Sequence, residues 1–165
     1  MPVEYRVGDA AHPEAEGKKL IAHVVNSVGA WGSGFVVAVS DIYGDSHKAQ
    51  YLAWMKTHRP QMGAVLITDA GNDIYIAHML AQNGLRSQFN ETPLVYAALS
   101  KCLNTVAERA KAMNATVHMP RVGMGRGGGD WKRIEAAVTR AFPEQTVSVY
   151  DLPPRAPSDP FFRSR

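Results

Sequence analysis

Two glycine-rich stretches hold the residues whose types and spacing point to chemistry. VGMGRGGGDW, at 122–131, has five glycines in ten positions, and NSVGAWGSGF, at 26–35, has three. Backbone without a Cβ brings N–H groups close to phosphate oxygens, and a strand–loop–helix junction aims those donors at an anion. Gly123-Met124-Gly125-Arg126-Gly127-Gly128 matches the dinucleotide pattern G-x-G-x-x-G, which many glycine turns satisfy by chance. Singly, either stretch is as well explained by turn geometry. As a pair, they read as two walls gripping one diphosphate. Asp130, just behind the second stretch, has the type and place of a helix N-cap, and Trp131 that of a core residue.

Hydrophobic patterning gives the elements that must position these loops. Val3–Val7 alternates as a first strand and ends at Gly8-Asp9. LIAHVV (20–25) is a continuous apolar run of buried-strand length, and FVVAVSDIYG behind the first glycine loop reads as a helix. A second helix is predicted over 45–58, closed by Pro60. AVLITD and DIYIAHML flank Ala70-Gly71-Asn72 as a hairpin. Leu94, Ala98, Cys102, Val106 and Ala110, four apart, predict a long helix over 91–113. TVHMPRV then reads as a strand, 130–142 as a helix and TVSVYDL (146–152) as a last strand. About six strands interleaved with four helices make an α/β sandwich around a mixed sheet. Only one strand follows the second glycine loop, whereas a Rossmann fingerprint opens its domain. No Gly-Lys-Ser/Thr ends the run, which excludes a P-loop.

The chain of 165 residues is expected to be one domain over 1–152, with a Pro- and Arg-rich tail, PPRAPSDPFFRSR, over 153–165 outside the core. A net charge of +3 from scattered Lys and Arg argues against a dedicated nucleic-acid binder. The lone Cys102 excludes an internal disulfide and reads as an inert buried thiol compatible with a reducing compartment. No apolar run approaches the roughly 20 residues of a membrane span, and the N-terminus lacks the basic-then-apolar pattern of a signal peptide. A cytoplasmic protein without membrane contact is expected. No His/Cys/Asp cluster has metal-ligand spacing, so neither a metal nor a cofactor is expected.

VGDA after the first strand, IAHVVNSVGAWGSGFVVAVSDIYG and MPRVGMGRGGGDW occur in order and with fitting spacing. On these residues the chain, from 3 to 152, resembles a macrodomain, the ADP-ribose-binding fold. The resemblance implies a three-layer α/β/α sandwich around a mixed central sheet. It is greatest to the branch of terminal ADP-ribose protein glycohydrolases and ADP-ribose-1″-phosphate phosphatases. That branch shares Gly-Asp after strand one, a compact first loop and Met-Pro-Arg-hydrophobic-Gly leading into the second. By resemblance, Asp9 accepts from the adenine amino group, with Ala10 beside it. Asn26, Ser27, Gly32, Ser33, Gly34 and Phe35 line the distal ribose and one side of the diphosphate. Gly123, Met124, Gly125, Arg126, Gly127, Gly128 and Gly129 wrap the other side. Met124 or Arg126 covers the pocket, and Arg126 either adds charge to the phosphates or stays solvated. Gly127 is expected to approach phosphate closely and to need a positive φ.

The glycohydrolases of this branch carry a lysine at the end of the strand matching DIYIAHML and an acid inside the second loop. Here those positions align with Leu80 and Gly127, so a covalent lysine adduct is not expected. Asn26, His78 and Gln82 are the polar residues nearest the expected distal ribose. Asn26 and Gln82, the candidate catalytic pair, would orient a water without titrating, while His78 in its apolar strand suits a hydrogen-bonded core role. The expected function is a hydrolase removing ADP-ribose from modified macromolecules, proteins rather than nucleic acids, through carboxylate linkages. The alternatives are a reader that binds ADP-ribose without turnover and an ADP-ribose-1″-phosphate phosphatase. A monomer is expected.

Overall fold

The computed structural model describes residues 2–154. Along it run β1 (Val3–Val7), β2 (Lys19–Asn26), α1 (Phe35–Tyr43), α2 (Ser46–His58), β3 (Val65–Gly71), β4 (Ile74–Gln82), α3 (Tyr96–Met113), β5 (Thr116–Pro120), α4 (Trp131–Ala141) and β6 (Val147–Asp151). The six strands form one sheet in the order β1-β6-β5-β2-β4-β3. Every neighbouring pair is parallel except the β3–β4 hairpin at one edge. Asn72 and Asp73 turn that hairpin at φ 52 and 62, a region that short polar side chains tolerate.

β2 and β4 lie side by side in the middle of the sheet and are buried on both faces, which is why their sequences run largely apolar, interrupted within by His23 and His78. Alternate residues feed two cores. Leu20, Ala22, Met79 and Ala81 pack with Leu99, Leu103 and Val106 of α3 and with Ile134 and Val138 of α4. Ile21, Val25, Ile76 and Leu80 pack with Val36 and Val39 of α1 and Tyr51 of α2. The architecture is therefore the expected three-layer α/β/α sandwich around a mixed sheet.

One boundary departs from expectation. α3 begins at Tyr96, after Val95 in extended conformation (φ −103, ψ 106), and not at 91. Pro93 has no N–H and biases its predecessor away from helical dihedrals. Leu94 matches the helical spacing but belongs to the preceding loop: its N–H donates to Gly127 O at 3.1 Å. It is 5% exposed because it packs beneath the second glycine loop. Cys102 is buried in the α3 face, and burial pushes its thiol up to about 12, which keeps it un-ionised and inert. Pro153 and Pro154 leave β6 as coil; the rest of the expected tail lies outside the described residues. Among those described, no helix is long and apolar enough to cross a membrane, and no cluster of three His, Cys, Asp or Glu could hold a metal ion.

Candidate ligand cavity at the sheet edge

Because β2 and β5 are parallel neighbours, the loops that follow them leave the same edge of the sheet. A cavity of about 680 Å³ opens there, within the range of small-molecule sites. Its floor is made by the carboxyl ends of five strands: Gly8 and Asp9 after β1, Tyr150 and Asp151 of β6, Pro120 of β5, Asn26 of β2 and Gln82 of β4. Four interstrand steps of about 4.8 Å make a slot ~19 Å long. The carboxyl edge of parallel strands is where open α/β sheets bind ligands.

The first loop is shaped by Asn26. Its Oδ1 accepts from Val28 N at 3.1 Å and Ala30 N at 3.0 Å, and its Nδ2 donates to Ala30 O at 2.8 Å. Tyr51 donates its hydroxyl to the Asn26 carbonyl from below. The carboxamide thus holds the shape of the loop while Asn26 lines the cavity. Gly32, Ser33, Gly34 and Phe35 continue along the cavity wall. Gly34, at φ 85, precedes α1 with no side-chain cap, and the first turn carries no acid. The positive end of α1 therefore opens on the cavity through Gly34, Phe35 and Val36.

The second loop lines the cavity from Pro120 to Gly127 without interruption. Gly129 N donates to Gly123 O at 2.8 Å, and Arg86 Nη1 donates to Gly125 O at 2.5 Å. The Arg126 stem passes 3.8 Å from where a Cβ on Gly34 would stand, so it reaches across the cavity to the opposite loop. Met124 is 37% exposed at the rim. Positive φ occurs at Gly123, Gly125 and Gly128, and not at Gly127. The α4 terminus behind the loop is closed, because Asp130 Oδ1 accepts from Lys132 N at 3.1 Å. Asp130 is the cap its sequence position predicts, and of the two junctions only α1 starts without a side-chain cap.

Of the expected site residues, Asp9, Ala10, Asn26, Gln82, the Gly32 to Phe35 run and the Gly123 to Gly127 run converge on the cavity. Ser27, Gly128 and Gly129 do not line it. Ser27 Oγ accepts from Gly84 N at 2.8 Å and approaches Asn83 Oδ1 at 3.3 Å, tying the first loop to the segment after β4. Gly128 and Gly129 pack too tightly against Glu91 O and Gly123 O to admit a side chain. Asp9 Oδ1 accepts from Ala11 N at 3.0 Å, turning the chain at the slot's end. Gln82 donates to Gly84 O at 3.2 Å. Leu80 is 1% exposed and faces the α1/α2 core, away from the cavity.

Sequence reasoning missed several wall residues. Arg121 forks onto Asp151 at 2.7 and 2.9 Å and lies over the rings of Tyr5 and Trp131 at 4.9 and 5.0 Å. The Arg121 hydrogen bond holds the Asp151 carboxyl below its ordinary range. Trp131 is half-buried, packed against the core, and donates from Nε1 to Tyr5 at 2.9 Å. Leu85 and Arg86 close the far end. His23 also lines the cavity; the one signal for it was a polar residue inside the apolar run LIAHVV. His78 is buried among hydrogen-bond partners, the core role its strand implied.

A slot across parallel strand ends, walled by two glycine loops and faced by one uncapped helix, is the architecture of an ADP-ribose-binding class of domain. The chain matches the family model for the Macro domain over residues 22–138 and belongs to that family. It is similar to a macrodomain protein from Streptomyces coelicolor, at 36% identity and a TM-score of 0.78 over 90% of this chain and 98% of that one. It is also similar to chromodomain-helicase-DNA-binding protein 1-like of Danio rerio, 28% identical over 84% of this chain. The chain spans only 14% of that relative's length. A third relative is an ADP-ribose 1″-phosphate phosphatase of Lodderomyces elongisporus, 26% identical over 85% of this chain and 92% of that protein.

Proposed function

We propose that this protein binds ADP-ribose in the slot and releases it from carboxylate side chains of modified proteins, acting in the cytoplasm as a monomer. The observation that carries the reading is the open N-terminus of α1 facing the bare backbone of the 123–127 loop across one cavity. Converging N–H groups and a helix dipole suit a diphosphate better than any neutral group. The diphosphate lies between Gly34 and the Gly123 to Gly127 run, with Arg126 across it. The adenine lies at the β1/β6 end, where Asp9 accepts its amino group. The distal ribose then reaches Asn26 and Gln82 at the ends of β2 and β4. An acyl-linked ADP-ribose has a carboxylate leaving group that departs without protonation, so orientation of a water supplies much of the chemistry.

A second reading is favoured by a specific observation. Leu80 points into the core and Gly127 has no side chain, so neither the lysine nor the acid of the related glycohydrolases stands in the cavity. A reader that holds ADP-ribose without turnover fits that absence. Incubation with glutamate-linked ADP-ribosylated protein, and separately with ADP-ribose-1″-phosphate, decides between them. Free ADP-ribose from the first supports the hydrolase, and from the second the phosphatase. Tight binding with no release from either leaves the reader.

A further inference from the structure

Four buried side chains on the α1/α2 side of the sheet form a line of hydrogen bonds that ligand binding alone does not require. His23 Nε2 and His78 Nδ1 are 2.7 Å apart, His78 Nε2 and Thr68 Oγ1 are 2.8 Å apart, and Thr68 Oγ1 and His47 Nδ1 are 2.7 Å apart. Strand register builds the line. His23 pairs directly with His78 across β2 and β4, and Thr68, opposite Ile76, is the diagonal neighbour of His78 across β3 and β4. His47 joins from α2. All four residues are at most 2% exposed.

The two ends of the line differ from its middle. His23 lines the cavity, and its Nδ1 is the one buried side-chain nitrogen or oxygen among the described residues without a hydrogen-bond partner. At the other end, His47 Nε2 forms no hydrogen bond to a described protein atom. Each link between them constrains the next. A neutral imidazole donates from one nitrogen and accepts at the other, and a threonine hydroxyl carries a single proton. If His23 donates from Nε2, His78 accepts at Nδ1 and donates from Nε2, and Thr68 donates to His47 Nδ1. All three histidines then carry their proton on Nε2, and His23 Nδ1 offers a lone pair. In the reverse direction all three carry it on Nδ1, and His23 offers a proton.

The geometry points to a proton wire in which His23 Nδ1 exchanges protons with the occupant of the cavity and His78, Thr68 and His47 connect it to solvent. The wire is independent of the ligand's identity; its use in hydrolysis rests on the function proposed above. In that reaction the water oxygen bonds to the anomeric carbon of the distal ribose. The bond from that carbon to the acyl oxygen breaks, its electron pair leaving on the carboxylate, and the water gives up one proton. His23 Nδ1 takes that proton, Nε2–H passes to His78, His78 passes Nε2–H to Thr68, and Thr68 passes its proton to His47. His47 releases its Nε2 proton to solvent. One proton enters and one leaves, no charge stays buried, and a proton returning inward resets the tautomers. Burial pushes the His23 imidazole down to about 3 and those of His78 and His47 below their ordinary value, so all three are neutral at neutral pH. A buried network tolerates that state and penalises a lasting charge.

Long-range nitrogen–proton spectra of protein labelled at its histidines read the tautomer of each ring. His23, His47 and His78 are expected to share one tautomer in the free protein and one with saturating ADP-ribose, with the His23 resonances moved by the ligand. Thr68→Val, close in shape, unlinks His47 from the other two; Thr68→Ser keeps the hydroxyl and the linkage, which separates a lost wire from lost packing. With glutamate-linked substrate, Thr68→Val loses about 10-fold or more in turnover, on the scale of proton-transfer catalysis, while ADP-ribose affinity stays within about twofold. Mixed tautomers in the wild type, His23 resonances indifferent to ADP-ribose, or Thr68→Val turnover equal to wild type would each overturn the wire. If the wild type releases no ADP-ribose while its tautomers remain linked and respond to ligand, the hydrolase reading fails and the wire stands.

Discussion

Replacing Gly128 by alanine should damage the fold, whereas the same change one residue earlier should spare it. Gly128 holds φ at 66, and a Cβ there would stand 2.3 Å from Glu91 O and 3.2 Å from Thr92 Cα. The left-handed conformation costs a residue with a side chain about 1–2 kcal/mol. Relieving the overlap moves backbone and adds about 1–3 kcal/mol, as for other overpacked sites. Together these give about 2–5 kcal/mol, which for a domain of this size lowers Tm by about 5–15 °C. At Gly127 the added Cβ would meet Leu94 Cβ at 3.4 Å and Gln82 Oε1 at 3.7 Å, ordinary contacts at a residue whose φ is not positive. Gly127→Ala should therefore change stability by less than about 1 kcal/mol, while its methyl enters the cavity and weakens ADP-ribose. Thermal melts of both variants, followed by calorimetric titration with ADP-ribose, test the pair. A Gly128→Ala protein melting within about 2 °C of wild type, or a Gly127→Ala protein melting as early as Gly128→Ala, would refute the assignment of roles along the loop.

ADP-ribose should raise Tm by mass action and AMP far less, because AMP cannot span both loops; equal shifts in a melting assay would sink the two-loop slot. Asp9→Ala should weaken ADP-ribose by about 1.5–3 kcal/mol, the range of a hydrogen bond to a charged group, with unchanged calorimetric affinity placing adenine elsewhere. Asn26→Ala strips the acceptor from Val28 N and Ala30 N and should cost about 1–3 kcal/mol of stability, with ADP-ribose binding lost alongside. A variant that binds like wild type would mean the loop holds its shape without Asn26. Acid should unfold the protein early. Burial lowers His23 to about 3 and His118 to about 4 from 6.5, so the unfolded chain takes up these protons first. The stability of the neutral histidines is complete above pH 6.5 and falls below it, by about 1.4 kcal/mol per pH unit for each histidine. Urea melts across that window should show the slope, and a flat profile would contradict the burial of these rings.

Much of the fold was legible because the signals are local. LIAHVV announces a strand covered on both faces, and the spacing of Ala98, Cys102, Val106 and Ala110 announces the stripe that α3 buries. Asp130 announces its cap. The α3 start was legible only in part, since Leu94 keeps the helical spacing while its N–H is bonded to Gly127 O in the second loop. What Leu94 does is visible only against Gly127, 33 residues along the chain.

The sequence by itself determined the alternation of strands and helices and the two glycine loops. Each is a property of residue type and of spacing within a dozen positions. The tertiary structure alone decided which residues of those loops face the cavity, since the lining stops at Gly127 and the positive φ falls on its neighbours. It also showed that Asn26 ties its own loop together through Val28 and Ala30. The line from His23 to His47 depends on it entirely. Its links join residues 55, 10 and 21 positions apart, and a one-residue slip in the β2–β4 or β3–β4 register would turn those rings to the opposite face of the sheet. Register is set by the whole packed sheet, so a hydrogen bond that depends on it leaves no local trace in the sequence.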